Sequence, residues 1–73
     1  MKNKLTFSQQ VIFDCLKKYY NEHYEMPTLE EICYMADLNT ISTVHIHLKN
    51  LQKKGYIEVQ PRIKRGIKIL KQD

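Results

Sequence analysis

Three threonines divide this chain before any other feature does. Thr6, Thr28 and Thr40 each stand just ahead of a run of apolar residues at helical spacing. A threonine in that place caps a helix, because its hydroxyl accepts an N–H that the first turn leaves unpaired. Thr6-Phe7-Ser8-Gln9 and Thr28-Leu29-Glu30-Glu31 have the capping-box form, in which the residue three positions on reaches back to the cap. Thr40 has Thr43 in that position, so it is a single cap. Three helix starts in 73 residues fit one small domain with a small core.

The first helix is expected over 7–22. Ile12, Cys15, Leu16 and Tyr19 form its apolar stripe, flanked by Phe13 and Tyr20, with Gln10, Asp14 and Lys17 opposite. A polar connection follows, and Met26-Pro27 is extended because proline biases its predecessor away from helix. The second helix begins at the Thr28 cap and buries Leu29, Ile32, Cys33, Met35 and Ala36. Asp37-Leu38-Asn39 turns the chain, with Leu38 as an apolar plug. The third helix runs from Thr40 to Lys54 and is closed by Gly55. At about 100° per residue, Ile41, Val44, Leu48 and Leu51 fall on its core side. Ser42, Ile46, Lys49, Asn50 and Lys53 fall roughly opposite.

Past Gly55 the period changes to two. Tyr56–Gln60 and Arg65–Leu70 alternate, with Ile57, Val59, Ile67 and Ile69 on one face. Pro61-Arg62-Ile63-Lys64 makes the turn between them. A lone hairpin is not stable in water, so this one must dock on the helices. Lys71-Gln72-Asp73 reads as a frayed tail. The fold class is therefore mainly α with a small β-hairpin. It is a winged helix-turn-helix, three helices plus wing, and residues 1–73 make a single domain.

A formal net charge of +4 suits an anionic partner, and its placement carries more information than its size. Double-stranded DNA offers donors, acceptors and thymine methyls in its major groove. Ser42, Thr43 and His45 can donate or accept there, and Ile46 can pack on a methyl. Lys49, Lys53 and Lys54, with Arg62, Lys64 and Arg65 of the wing, can neutralise phosphates. Asn50 can meet an adenine edge or face water. The start of the third helix also presents free N–H groups to a phosphate.

Other chemistries find less support. His45 and His47 lie two residues apart, roughly 200° around a helix, so their rings diverge and no metal site is expected. His47 reads instead as a hydrogen-bonding edge residue between helix and wing. Cys15 and Cys33 are expected to be reduced, partly buried thiols. No nucleotide-binding glycine loop or nucleophile–base constellation is evident, so neither an enzyme nor a cofactor is expected. No signal peptide or apolar run of membrane-spanning length is present, which predicts a cytoplasmic protein without a membrane partner.

Five segments carry a resemblance. They are Leu5-Thr6-x-x-Gln9-Gln10, Met26-Pro27-Thr28-x-x-Glu31-Ile32, Ser42-Thr43-Val44-His45-x-His47-Leu48-Lys49-x-Leu51, Lys53-Lys54-Gly55-Tyr56-Ile57 and Arg65-Gly66-Ile67. In order and spacing, from Leu5 to Leu70, they resemble the N-terminal DNA-binding domain of the LexA repressors of the SOS response. The resemblance implies a winged helix-turn-helix that binds palindromic operators as a dimer and represses transcription. It implies base contacts at Thr40, Ser42, Thr43, His45 and Ile46, and backbone contacts from the wing, with Lys49 and Lys53 on the same exposed side. Thr28, at the start of the second helix, is counted with the phosphate contacts.

The departures from the family are specific. LexA proteins carry a second domain with a Ser/Lys self-cleavage pair and the dimer interface, whereas this sequence ends just after the wing. The one alanine, Ala36, precedes Asp37, so the Ala-Gly bond that LexA cuts is absent and self-cleavage is not expected. Ile46 stands where other members carry a small or polar residue. Tyr24-Glu25 replaces the usual glycine-containing turn. A second reading is a small protein–protein modulator of a full-length repressor, with Tyr20, Tyr24, Val11 and Ile46 as contacts.

Overall fold

Each threonine cap begins a helix in the computed structural model, which describes residues 4–70. The elements in chain order are α1 (Phe7–His23), α2 (Leu29–Met35), α3 (Ile41–Lys53), β1 (Ile57–Val59) and β2 (Ile67–Ile69). Thr6 and Thr28 close full capping boxes, with Gln9 and Glu31 returning the bond. Thr40 caps α3 alone, its hydroxyl 3.4 Å from the Thr43 nitrogen. The fold class and element order match the expectation, with α1 one residue longer than 7–22. The expected fraying at Lys71–Asp73 lies outside the described residues.

The helix ends are fixed by residues in the left-handed region. Asp37 (φ 56°) and Gly55 (φ 84°) follow α2 and α3. Leu38 N–H reaches Cys33 O at 3.0 Å and Tyr56 N–H reaches Leu51 O at 3.0 Å. These are Schellman closures, which satisfy carbonyls that a helix end otherwise leaves to water. Tyr24 ends α1 at φ 60°, its N–H on Tyr20 O at 2.7 Å. The Asp37 turn thereby sets α2 against α3 in the helix-turn-helix relation, and the Gly55 turn leads α3 into β1.

The core forms where α3 meets everything else. It packs on α1, α2 and β1. Ile12, Phe13 and Leu16 from α1, Ile32 from α2, Val44, Leu48 and Leu51 from α3, and Ile57 from β1 are almost wholly buried, with Met26 and Ile67 at the margin. Burial of each such side chain stabilises the fold by about 1.5–3 kcal/mol before entropy is counted. Phe13 meets Tyr56 edge to face at 5.3 Å, which seats the start of the hairpin on α1.

Several expected burials differ. Ile41 is 36% exposed rather than core, because it is the first residue of α3 and lines a groove beside the wing. Tyr20 and Met35 are also exposed. The last buried residue of α1 is Leu16, so the final turns of that helix project past the core. Lys17, expected on the solvated face, is half-buried with its ammonium 5.0 Å from the Phe13 ring centroid. Cys15 and Cys33 are free and partly buried. Burial, and then the Asp14 charge, push the Cys15 thiol pKa up.

The hairpin pairs antiparallel, Ile57 with Ile69, Glu58 with Lys68 and Val59 with Ile67. Inward and outward residues alternate as expected. Val59 N–H donates to Gln52 Oε1 at 2.6 Å, so a side chain of α3 holds the first strand against the helix. Among the described residues, no helix is long and apolar enough to cross a membrane.

Candidate nucleic-acid interface

Helical geometry separates the residues of α3 into three bands. Taking Val44, Leu48 and Leu51 as the buried band, Ser42, Ile46, Lys49 and Lys53 lie roughly opposite it at about 100° per residue. All four of these are exposed. Ile46 is 59% exposed, an apolar side chain in the middle of a polar and basic stripe. Ile41, His45 and Gln52 occupy the flank between core and stripe, and that flank faces the wing. Thr43 lies on the other flank, half-buried, with its hydroxyl 3.1 Å from that of Thr40.

The wing flank is one wall of an open groove of about 770 Å³. Leu29, Ile41, Leu48, Val59 and Ile67 supply apolar lining, and Thr28, His45, Lys49, Arg62 and Lys64 also border it. Of the expected contacts, the fold therefore gathers Thr28, His45, Lys49, Arg62 and Lys64 around one cleft. Ser42, Ile46 and Lys53 form the adjoining exposed stripe. Lys49 belongs to both. No hydrogen bond or ion pair within the described residues occupies Lys49, Lys53, Arg62 or Lys64. Four unpaired cations on one side of a small domain suit a polyanion.

Other expected contacts are held within the protein. Thr28 N–H donates to Glu31 Oε1 at 2.8 Å and its hydroxyl accepts from Glu31 N–H at 3.2 Å, which leaves its O–H hydrogen to offer. Lys54 Nζ donates to Gln9 Oε1 at 2.6 Å and Lys4 O at 2.9 Å. It ties the end of α3 to the start of α1, and Gln9 is only 6% exposed there. Arg65, expected with the phosphate contacts, forks onto Glu31 at 2.8 and 3.3 Å. Both long side chains are thus engaged, where Arg62 and Lys64 are not.

That engagement shifts the titration of the pair. The Arg65 hydrogen bonds, and next the Thr28 N–H, hold the Glu31 carboxyl at about 2, against an ordinary 4.5. The Glu31 carboxylate and then the Tyr19 hydroxyl push the Arg65 guanidinium further up.

His47 departs from expectation in place and in bonding. It borders Phe7, Ser8, Val11, Ile12, Ala36 and Leu38, on the flank of α3 that faces α1 and the turn. The wing lies on the opposite flank, about 120° or more around the helix. Its Nδ1 is buried with no hydrogen-bond partner among the described residues. Among the described residues, no group of three or more His, Cys, Asp or Glu side chains is placed to hold a metal.

Three residues at the site have no role there in the sequence reading. Gln52 pins β1 and borders the groove. Glu31 holds Arg65 as well as its own cap. Ile63 stands at the wing tip, 58% exposed, and lines the groove between Arg62 and Lys64. The alternation of the strands stops before that turn, so no period marks Ile63. The Glu31–Arg65 contact spans 34 positions, beyond the reach of local spacing.

Comparison with known proteins gives the same picture. The family model described as the LexA DNA binding domain matches residues 2–66. The LexA repressor of Carboxydothermus hydrogenoformans is 42% identical over 71 residues, 96% of this chain and 35% of that protein. The LexA repressor of Caldicellulosiruptor saccharolyticus is 42% identical over 73 residues, all of this chain and 36% of that protein. That of Bacillus thuringiensis is 43% identical over 70 residues, 96% of this chain and 34% of that protein. The chain spans about a third of the length of the relatives it matches. With three capped helices, a docked wing and a family match over nearly its whole length, the chain belongs to the LexA DNA-binding domain family.

Proposed function

We propose that this chain is a sequence-specific DNA-binding transcriptional regulator, a repressor that reads one operator half-site with α3 and grips the flanking phosphates with the wing. The observation that carries the reading is the convergence of Lys49, Arg62 and Lys64 on the groove between α3 and the wing, beside the exposed stripe of Ser42, Ile46 and Lys53. The stripe is short and polar enough to approach base edges, and Ile46 offers a surface for a thymine methyl. Thr40, Thr43 and His45 border it and complete the base-facing set. Lys49, Lys53, Arg62 and Lys64 supply the phosphate contacts, with the Thr28 hydroxyl at the groove edge.

One half-site module binds weakly; non-specific affinity for such proteins is about 10⁻⁴–10⁻⁶ M at physiological salt. Two copies on a palindromic operator gain from effective concentration, so the operating species is a pair assembled on DNA. A mobility shift with the purified chain alone tests the reading. Retardation of an operator duplex, with weaker retardation of a scrambled one, supports it. A shift that needs an added full-length repressor would replace it with the modulator reading.

A further inference from the structure

One guanidinium at the base of the wing makes contact with three other parts of the chain. Arg65 Nη1 lies 2.8 Å from Glu31 Oε1 on α2, and Nη2 lies 3.3 Å from Oε2. Nη1 also donates to Met26 O, in the segment before α2, at 3.0 Å. The Tyr19 hydroxyl of α1 accepts from it at 3.3 Å. Glu25 lies further off, at 3.8 Å. The planar fork of arginine suits such a set; a lysine ammonium has no second nitrogen to span both carboxylate oxygens. Glu31 meanwhile accepts from Thr28 N–H and so closes the α2 cap with the same carboxylate.

The position of this clasp matters more than its strength. Arg62 and Lys64, the free cations of the wing turn, lie within three residues of Arg65. The turn that carries them is closed by two backbone bonds, Gln60 N–H to Gly66 O at 2.7 Å and Gly66 N–H to Ile63 O at 3.2 Å. The turn therefore moves as a unit with the residues at its base. Gln52 fixes the first strand of the wing to α3, and Arg65 fixes the start of the second to the beginning of α2.

We propose that Arg65 is a positioning residue for DNA binding. Through Glu31 it sets the angle of the wing against α3, and so the distance across the groove between Lys49 and the pair Arg62 and Lys64. The inference rests on the DNA reading above and adds a role for two residues that reading leaves out. It separates from direct phosphate binding by Arg65 in the sign of one effect. Glu31→Gln keeps an oxygen for the Thr28 N–H but loses the charge that holds Arg65. If Arg65 were itself a phosphate contact, freeing it would add a cation to the interface. If it positions the wing, the same change costs the interface Arg62 and Lys64.

The test uses the whole chain and a random-sequence DNA duplex as probe, at temperatures where each variant keeps the helical circular dichroism of the wild type. Anisotropy titrations across a salt series read the number of phosphates neutralised. Four free cations predict a log–log slope of about −3 to −4 for the wild type. Glu31→Gln and Arg65→Lys are each expected to make it shallower by roughly 2, the loss of two phosphate contacts. Backbone ¹⁵N relaxation on the free protein is expected to show less order at 60–66 in both variants and no change in α3. A steeper or unchanged slope for Glu31→Gln, an unchanged slope for Arg65→Lys, or a wing as ordered as the wild type would overturn the proposal. A wild-type chain that binds no duplex at low salt would instead overturn the DNA reading, and the relaxation data would still report on the clasp.

Discussion

Tyr24 shows how a single residue can depart from local preference without disturbing the fold. It closes α1 in the left-handed region at φ 60° and is 82% exposed. An L-residue there costs about 1–2 kcal/mol, whereas glycine pays only its greater unfolded-state freedom. Tyr24→Gly is therefore expected to stabilise the domain by about 0.5–1 kcal/mol, read as a higher urea midpoint at unchanged slope. Glu31 makes a second prediction at this scale. Its folded pKa of about 2 lies below the ordinary 4.5, so the contribution of its charge is complete above 4.5 and fades as the pH falls through 2. The difference in urea midpoint between wild type and Glu31→Gln is expected to be constant near neutrality, to narrow below pH 4.5 and to be gone below about 2. A difference that grows on acidification would contradict the assignment of the shift to this pair.

At the scale of elements, what could be read from sequence was what is local. The three caps, the Gly55 closure and the Asp37-Leu38-Asn39 turn all depend on residues within about six positions of each other, and all are present. The alternation of the wing was equally plain, because its inner face must meet the core. Placement between elements was not legible. Ile41 matches the apolar period of α3 yet borders the groove, because it is the first residue of that helix and lies on its wing side. His47 falls on the flank of α3 away from the wing, which spacing alone could not assign to one neighbour or another. Lys54 and Arg65 read as free cations until their partners, 45 and 34 positions away, are in place. The wing turn gives the element-scale prediction. A Cβ on Gly66 would meet Gln60 O and Ile63 Cβ at 2.8 Å each, and the first is backbone. Gly66→Ala is expected to cost about 1–3 kcal/mol and to spread the Arg62–Lys64 turn, seen as chemical-shift changes confined to 59–67. Changes that spread evenly through the helices would mean that the turn is not an independent unit.

At the scale of the whole molecule, the division of labour is geometric. The helices place one exposed stripe on the far side of α3 from the core, and the hairpin walls the groove beside it with Arg62 and Lys64. The charge of +4 is uninformative as a total. Among the described residues, Lys49, Lys53, Arg62 and Lys64 leave one side of the domain with four unpaired cations, while Lys54 ties the end of α3 to the start of α1 and Arg65 ties the wing to α2. The relatives are about three times as long as this chain, and the family model that it matches is the LexA DNA binding domain. The proposed function requires that this surface read sequence and not merely attract polyanions. Selection of duplexes from a randomised pool by the purified chain tests it most directly, run alongside Ser42→Ala, Ile46→Ala and Lys49→Ala. The expected result is one enriched half-site motif, altered by the Ser42 or Ile46 change and preserved, at lower yield, by the Lys49 change. A pool no different from its input, or a motif that shifts with Lys49 and ignores Ser42 and Ile46, would contradict it.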